Sequence, residues 1–272
     1  MSPCVLAPGC LVNETAVVTG AGSGLGRAIA LRLLSLGATV VGMGRRIERL
    51  RETADMAGEH AARFDARSVD LRDADALEST SLDVASAHPV SILVNNAGGQ
   101  FVAPAADVTL RGWRALIELN LTAVFLLCRL SHASLARARG SIVNISLSPV
   151  ERGALGISHG IAARAGVLGL SRSLALEWAP DGIRVNCIGP GSVATAGLEE
   201  EVTPGSIPRL VEAIPLGRLT RPEEVAELIG SLVSPAGRLV SGQLLHIDGL
   251  AHLGAPVDLL STRNRPKGGD PS

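Results

Sequence analysis

The sequence predicts an α/β fold: one Rossmann-type, doubly wound domain on a seven-stranded parallel sheet. Three observations carry that prediction. Short β-branched or aliphatic runs alternate with longer segments of helical period along most of the chain, as strands and crossover helices do when a sheet is covered on both faces. A glycine-rich segment, TGAGSGLG, stands between the first such run and the first helical segment. The 272 residues, 46% of them hydrophobic, suffice to bury one large core without division into two domains.

The first strand is expected near Ala16 to Thr19, ending at the glycine segment, and the second near Thr39 to Met43, where TVVGM is β-branched and apolar. Further strands are expected near Arg67 to Val69, Ile92 to Asn95, Ser141 to Ile145, Arg184 to Ile188 and Leu244 to Ile247. Helices fill the gaps. The two longest run from about Arg111 to Ala136 and from about Ser158 to Trp178, each apolar on more than one face, which fits burial against the sheet and also fits a subunit interface. Residues 196 to 216 break the alternation with an acidic run, Glu199 to Glu201, and three prolines, and read as a mobile flap over a site. The domain is expected to occupy residues 1 to 260, and the Pro-, Gly- and charge-rich residues 261 to 272 to form a flexible tail.

Composition removes several classes of function. A formal net charge of −1 provides no basic field for nucleic acid, and 2% aromatic residues leave little to stack on bases. Cys4, Cys10, Cys128 and Cys187 lack metal-ligand spacing, so the expectation is reduced thiols, no metal and a cytoplasmic protein. Apolar runs are interrupted by Gly, Arg or Asp before the roughly 18 residues of a membrane span, and the MSPCVLAPGC start lacks the basic flank of a signal peptide. No membrane partner is expected.

The glycine segment points to a dinucleotide. Gly20, Gly24 and Gly26 follow the first strand and open a helix, where glycine permits a tight turn and the close approach of backbone to a pyrophosphate at the helix N-terminus; Ser23 and Leu25 lie in the same loop. The second strand ends without the acid that binds an adenosine ribose 2′-hydroxyl. Gly44 stands in its place, followed by Arg45 and Arg46, whose guanidinium groups suit a 2′-phosphate, so NADP(H) is the expected cofactor; the same arginines also suit the opening of a solvated helix. Asp70 is placed either to accept from the adenine amino group or to cap the next helix.

Five segments in order, TGAGSGLG, LVNNAGG at Leu93 to Gly99, ELNLTAVF with Asn120, GSIVNIS at Gly140 to Ser146 and IRVNCIGPG at Ile183 to Gly191, resemble the short-chain dehydrogenase/reductase family from about Val12 to Gly249. The resemblance implies an adenine-ring and sheet-supporting role for Asn95, Ala97 and Gly98. It adds Leu71, Asn96, Pro190 and Val193 to the cofactor shell and gives nicotinamide-carboxamide contacts to Ile188, Gly191 and Thr195. Asn120 would hold an active-site water or position the residue at the family's lysine place, and the assembly would be a homotetramer or homodimer. The family's Tyr-x-x-x-Lys motif falls on Gly160 to Arg164, and its serine on Leu147, flanked by Ser146 and Ser148; the chain contains no tyrosine. The segment SHGIAARAGVLGLSRSLALEW resembles more closely the trans-2-enoyl-CoA and dienoyl-CoA reductase branch, in which a histidine, here His159, precedes the ARAGV run. That likeness implies NADPH-dependent reduction of a carbon–carbon double bond conjugated to a thioester, bound to CoA or a carrier protein.

Such chemistry tolerates the loss of a phenol. Alcohol oxidation requires a base whose pKa is tuned down from about 10, whereas hydride addition to an enoyl β-carbon places charge on the thioester oxygen, which hydrogen-bond donors can hold. The candidate donors are Asn120, Ser146, Ser148, His159 and the backbone amides around Gly98 to Gln100, with Arg164 holding the nicotinamide ribose and Gln100 and Phe101 lining the pocket. Three alternatives stand beside this reading: a dehydratase, isomerase or cyclase using Ser148 with His159 as its acid–base pair, a nucleotide-binding pseudoenzyme, and an ordinary ketoreductase or alcohol dehydrogenase.

Overall fold

Each strand distributes its side chains to two faces, and each face has its own core. Val17, Val41, Leu93, Ile142 and Val185 point into one, Ala16, Val18, Val40, Ile92, Val94 and Val143 into the other, as the period of two requires when both sides are covered. The computed structural model describes residues 6–201 and 205–254. Its strands, β1 (Thr15–Thr19), β2 (Thr39–Gly44), β3 (Phe64–Ser68), β4 (Ile92–Asn95), β5 (Ser141–Ile145), β6 (Arg184–Pro190) and β7 (Leu244–Ile247), form one parallel seven-stranded sheet in the order β3-β2-β1-β4-β5-β6-β7. The expected fold class is therefore the observed one. The expected tail and Cys4 lie outside the described residues.

The order reverses between β1 and β4, where Ala16 pairs with Ile92, and the C-terminal side of such a switch point is where ligands of these sheets sit. Helices α1 (Gly24–Ser35), α2 (Ile47–Met56) and α3 (Ala74–Ala87) connect the first half. Helices α4 (Leu110–Ile117), α5 (Ala123–Ala138), α6 (Ser158–Glu177), α7 (Ala196–Glu201), α8 (Ile207–Glu212) and α9 (Pro222–Val233) serve the second. Ile29, Leu33 and Leu34 of α1 pack with Val225 and Ile229 of α9 on one face; Leu77 and Val84 of α3 pack with Leu127 of α5 and Val167 of α6 on the other.

Three boundaries differ from expectation. The third strand starts three residues earlier than the sequence suggests, because β3 is an edge strand with half-exposed residues, and FDARS carries little apolar signal. Residues 196 to 216, expected as a flap, contain α7 and α8, and Ile214 is buried beyond them. Helices α4 and α5 are continuous through one π-turn at Glu118–Thr122. By length and composition this 29-residue helix is apolar enough to cross a membrane, although Glu118 and Arg129 interrupt its apolar run. Leu116, Ala123, Val124, Leu127, Cys128 and Leu135 on it are buried, whereas Leu110, Trp113 and Phe125 are exposed.

A polar chain crosses the centre of the sheet. Asn95 Nδ2 donates to Asn144 Oδ1 (2.8 Å), Asn144 Nδ2 to Ser171 Oγ (2.8 Å), and Ser171 Oγ to the Val167 carbonyl (2.7 Å). Cys187 Sγ also donates to Ser171 Oγ, at 3.1 Å. These groups are buried, so their mutual bonds replace the water they lose. Burial raises the thiols of Cys128 and Cys187 to about 12 and about 11, and both cysteines, with Cys10, are free.

Candidate active site

The glycine loop sits at the mouth of the crevice. Gly20 (φ +69°) and Gly24 (φ +49°) adopt the left-handed conformation that favours glycine, and a Cβ at Gly26 would overlap the Gly20 carbonyl. Thr19 ties this loop to the turn after β4: its Oγ1 accepts from the backbone amides of Asn96 (3.0 Å) and Ala97 (2.9 Å), and its carbonyl accepts from Asn96 Nδ2 (2.9 Å). The Thr195 methyl lies against Gly24, so the loop after β6, which runs from Pro190 and Gly191 through Val193, closes over the first turn of α1. Ser23 is the N-cap of α1 but makes no side-chain cap bond, and the first turn holds no acid. That leaves backbone N–H groups available to an anion.

Around the second strand, Arg45 and Arg46 are exposed and form no ion pair among the described residues; Arg46 also occupies the N-cap of α2. Asp70 is engaged by Arg72, which donates from Nη2 (2.6 Å), Nε (3.0 Å) and its backbone amide (3.1 Å) and holds the carboxyl down at about 2. The capping alternative for Asp70 is corrected: Asp73 caps α3, accepting from Ala76 N at 3.0 Å. The side chains of Asn95, Ile188 and Leu71 are buried in the core, at 1%, 0% and 6% exposure, which leaves their backbone groups to make the cofactor contacts the sequence suggested. Of the Asn95 roles, sheet support remains to its side chain. Leu25 is half-buried against the core.

Deeper in the crevice, Arg164 enters from α6. It is buried, its Nη1 donates to the Ile145 carbonyl at 2.5 Å, and its remaining guanidinium nitrogens lie under Gly98, where a Cβ would overlap Nη2. Burial lowers its pKa to about 10, which leaves it cationic at neutral pH. Asn120 sits in the π-turn, a local widening that swings its side chain out of helical register. Its Nδ2 donates to the Gly99 carbonyl (2.8 Å) and its Oδ1 accepts from the Gly99 amide (3.0 Å), so it braces the glycine turn.

The expected donors are dispersed. Leu147 is extended (φ −134°, ψ 149°), which sends Ser146 and Ser148 to the face opposite its own. Ser146 Oγ donates to the Arg164 carbonyl at 3.2 Å, and Ser148 Oγ to the buried carboxylate of Asp248. His159 is fully buried, stacked on Phe101 with ring centroids 4.0 Å apart. Its Nε2 lies 3.0 Å from the Phe101 carbonyl, and its Nδ1 has no partner among the described residues. A carbonyl can only accept, so Nε2 is the nitrogen that donates in this contact. The pairing of Ser148 with His159 as acid and base is therefore not assembled. Gly160 faces the Gln100 amide, which fills the space a side chain there would enter.

Sequence reasoning missed a cluster at the end of β7. Asp248 Oδ2 accepts from the His252 backbone amide (2.6 Å), the His252 ring Nδ1 lies 3.0 Å from the same oxygen, and His246 stacks on His252 at 4.0 Å. Ligand atoms of His246, Asp248 and His252 lie within 4.8 Å of one another, a grouping the spacing HIDGLAH could have signalled. The Asp248 carboxylate is satisfied within the chain, by Ser148, His252 and the Leu250 amide (3.0 Å). A separate surface cleft, lined by His88, Pro89, Ser134 and Arg137, opens between α3 and α5 at the opposite end of the strands.

A family model described as Enoyl-(Acyl carrier protein) reductase matches residues 20–251. The chain belongs to the short-chain dehydrogenase/reductase family. A Bacillus subtilis relative of this dehydrogenase/reductase, named "Probable 2,4-dienoyl-CoA reductase", is 33% identical over 243 residues, which cover 87% of this chain and 96% of the relative. The 3-oxoacyl-(acyl-carrier-protein) reductase of Aquifex aeolicus is 32% identical, over 88% of this chain and 97% of that one. Among solved structures, an actinorhodin polyketide ketoreductase with NADPH superposes with a TM-score of 0.82 at 33% identity, covering 88% of this chain and 97% of that chain. A 3-ketoacyl-(acyl-carrier-protein) reductase from Brucella melitensis in complex with NADH gives 0.82 at 27% identity, over 89% and 99%. Proteins so different in named substrate share this fold, so the crevice of this dehydrogenase/reductase has to be read from its own residues.

Proposed function

We propose that the protein is an NADPH-dependent reductase of the carbon–carbon double bond of an enoyl thioester carried by CoA or a carrier protein. The observation that carries this reading is the chemistry of the crevice around Gly98, Gln100 and Gly160. Its polar groups are a buried arginine, a buried histidine and amides, and among the described residues no carboxylate, phenol or exposed imidazole joins them. Such a set stabilises charge on an oxygen but does not abstract a proton from an alcohol. The likeness to the Bacillus subtilis relative named as a dienoyl-CoA reductase supports the same substrate class.

The residues present fit NADPH. The uncapped N-terminus of α1 and the glycines at 20, 24 and 26 suit the pyrophosphate, and Arg45 and Arg46, free of ion pairs among the described residues, suit the 2′-phosphate. Arg164, turned under Gly98, would hold the nicotinamide ribose hydroxyls. Bound NADPH supplies the hydride; the chain orients the substrate and holds the oxygen on which charge gathers. The exposed apolar residues Leu110, Trp113 and Phe125 on the α4–α5 helix suit a homodimer or homotetramer interface. The test is loss of NADPH absorbance with crotonyl-CoA and longer trans-2-enoyl-CoA esters, beside calorimetric titration of NADPH alone. Turnover is the expected result, and tight NADPH binding without turnover on any ester would overturn the reading in favour of a pseudoenzyme.

A further inference from the structure

We propose that the side-chain amide of Gln100, packed against Gly160, donates the hydrogen bond that holds the substrate's thioester oxygen. The inference rests on the reductase reading for its substrate class, and on the geometry of three neighbours for the rest.

Gly160 provides the first observation. A Cβ built there would run into Gln100 Oε1, with Cδ 2.8 Å and Nε2 2.9 Å away, so the amide lies across the path of any side chain leaving α6 at this position. Gln100 reaches the spot from the turn after β4, the opposite wall of the crevice. A glycine on one wall and a glutamine folded into its vacancy from the other together make one polar group at that point.

The orientation of the amide is fixed by Phe101. Gln100 Nε2 donates to the Phe101 carbonyl at 3.0 Å, and the same carbonyl accepts from His159 Nε2, also at 3.0 Å. Turning the amide over would set two acceptors against each other, so the NH2 group belongs where it stands. His159, with its proton spent on that carbonyl, is 3.5 Å from Gln100 Nε2, and it buttresses the amide without accepting from it. One of the two amide hydrogens is thus committed, and the other has no acceptor among the described residues.

Several of the other side-chain donors in reach are already committed, and Arg164 Nη2 is the one assigned above to the nicotinamide ribose. Asn120 is bonded at both ends to Gly99, Ser146 to Arg164, Ser148 to Asp248, and Arg164 Nη1 to Ile145. Gln100 is half-buried, and therefore open to a ligand on one side, whereas His159 is closed off beneath Phe101. An amide also does not titrate. Gln100 keeps both its hydrogens throughout, and the α-carbon takes its proton from water. Holding of the substrate oxygen should then be independent of pH across the neutral range.

Two variants test the assignment: Gln100→Leu, which removes the amide, and Gln100→Glu, which keeps its shape and removes both N–H groups. The first readout is the carbonyl stretching frequency of crotonyl-CoA, 13C-labelled at the thioester carbon, bound to protein saturated with NADP+, where no reduction occurs. A downshift in the wild type that is lost in both variants is expected. A downshift that persists in Gln100→Glu, or none in the wild type, overturns the proposal. The second readout is turnover: kcat should fall by about 100-fold or more in each variant, with the NADPH dissociation constant unchanged. A wild type that shifts the carbonyl frequency but consumes no NADPH would remove the reductase reading and leave the role of Gln100 intact.

Discussion

Gly98 and Arg164 share one space: the guanidinium occupies the volume that a side chain at position 98 would need. An arginine is a long side chain to bury at this point of the crevice. It fits because the turn after β4 presents bare backbone, so the two residues have to be understood as a pair.

Gly98→Ala is accordingly expected to push the guanidinium off its position beneath the turn. Because Arg164 Nη1 is anchored on the Ile145 carbonyl, the displacement also strains that bond. NADPH affinity should fall by about tenfold or more, the scale of one lost charge-assisted hydrogen bond, and the melting temperature should fall as well, because the displaced guanidinium is buried. Titration calorimetry of the variant measures this, and unchanged affinity would show that Arg164 does not touch the cofactor.

Arg45 is exposed and free of ion pairs among the described residues, so its charge is available to a ligand. Arg45→Asp is expected to weaken NADPH by about 10- to 100-fold through lost attraction and added repulsion, and to leave NADH within about threefold. Paired dissociation constants for the two cofactors decide it. Equal losses would remove the 2′-phosphate assignment.

The polar chain through the sheet predicts a large stability effect far from any ligand. Asn144 is fully buried and bonded to both Asn95 and Ser171. Asn144→Ala leaves both partners without it and should cost about 2–4 kcal/mol, read as a lower urea midpoint with an unchanged slope.

Glu224 links folding to pH. It accepts from Arg218 Nη2 (2.8 Å) and Nη1 (2.9 Å) and from the Arg221 amide (2.9 Å) at the start of α9, and the Arg218 bonds hold its carboxyl down at about 2, from 4.5. A carboxylate with a lowered folded-state pKa contributes stability above its unfolded pKa and loses it as pH falls towards the folded value. Glu224→Gln should therefore be less stable than wild type by about 1 kcal/mol at pH 6. That gap should close as pH falls from about 4.5 to about 2. A gap that stays constant with pH would show that the charge of Glu224 does not matter.

Much of this molecule was legible in its sequence because the legible features are local. The seven strands and their parallel order follow from apolar runs separated by helical segments, and the dinucleotide loop from three glycines between a strand and a helix, since each depends on neighbours along the chain. The edge strand was misplaced by three residues for the complementary reason: one exposed side leaves no apolar run to read.

The sequence by itself also determined what the crevice lacks, since a chain without tyrosine cannot present a phenol. What fills the gap was decided by tertiary structure. Gln100 and Gly160 are sixty residues apart, and nothing local to either indicates that one folds into the space of the other. Ser146, Ser148 and His159 carry the right chemistry in the sequence, but the extended backbone at Leu147 turns the serines away and the Phe101 ring covers the histidine. Asp248 and His252 entered no sequence argument, yet the Asp248 carboxylate, itself bonded by His252, holds Ser148 from a hundred residues further along the chain. Residue type sets which hydrogen bonds are possible, and packing at the C-terminal ends of the strands sets which of them are already made.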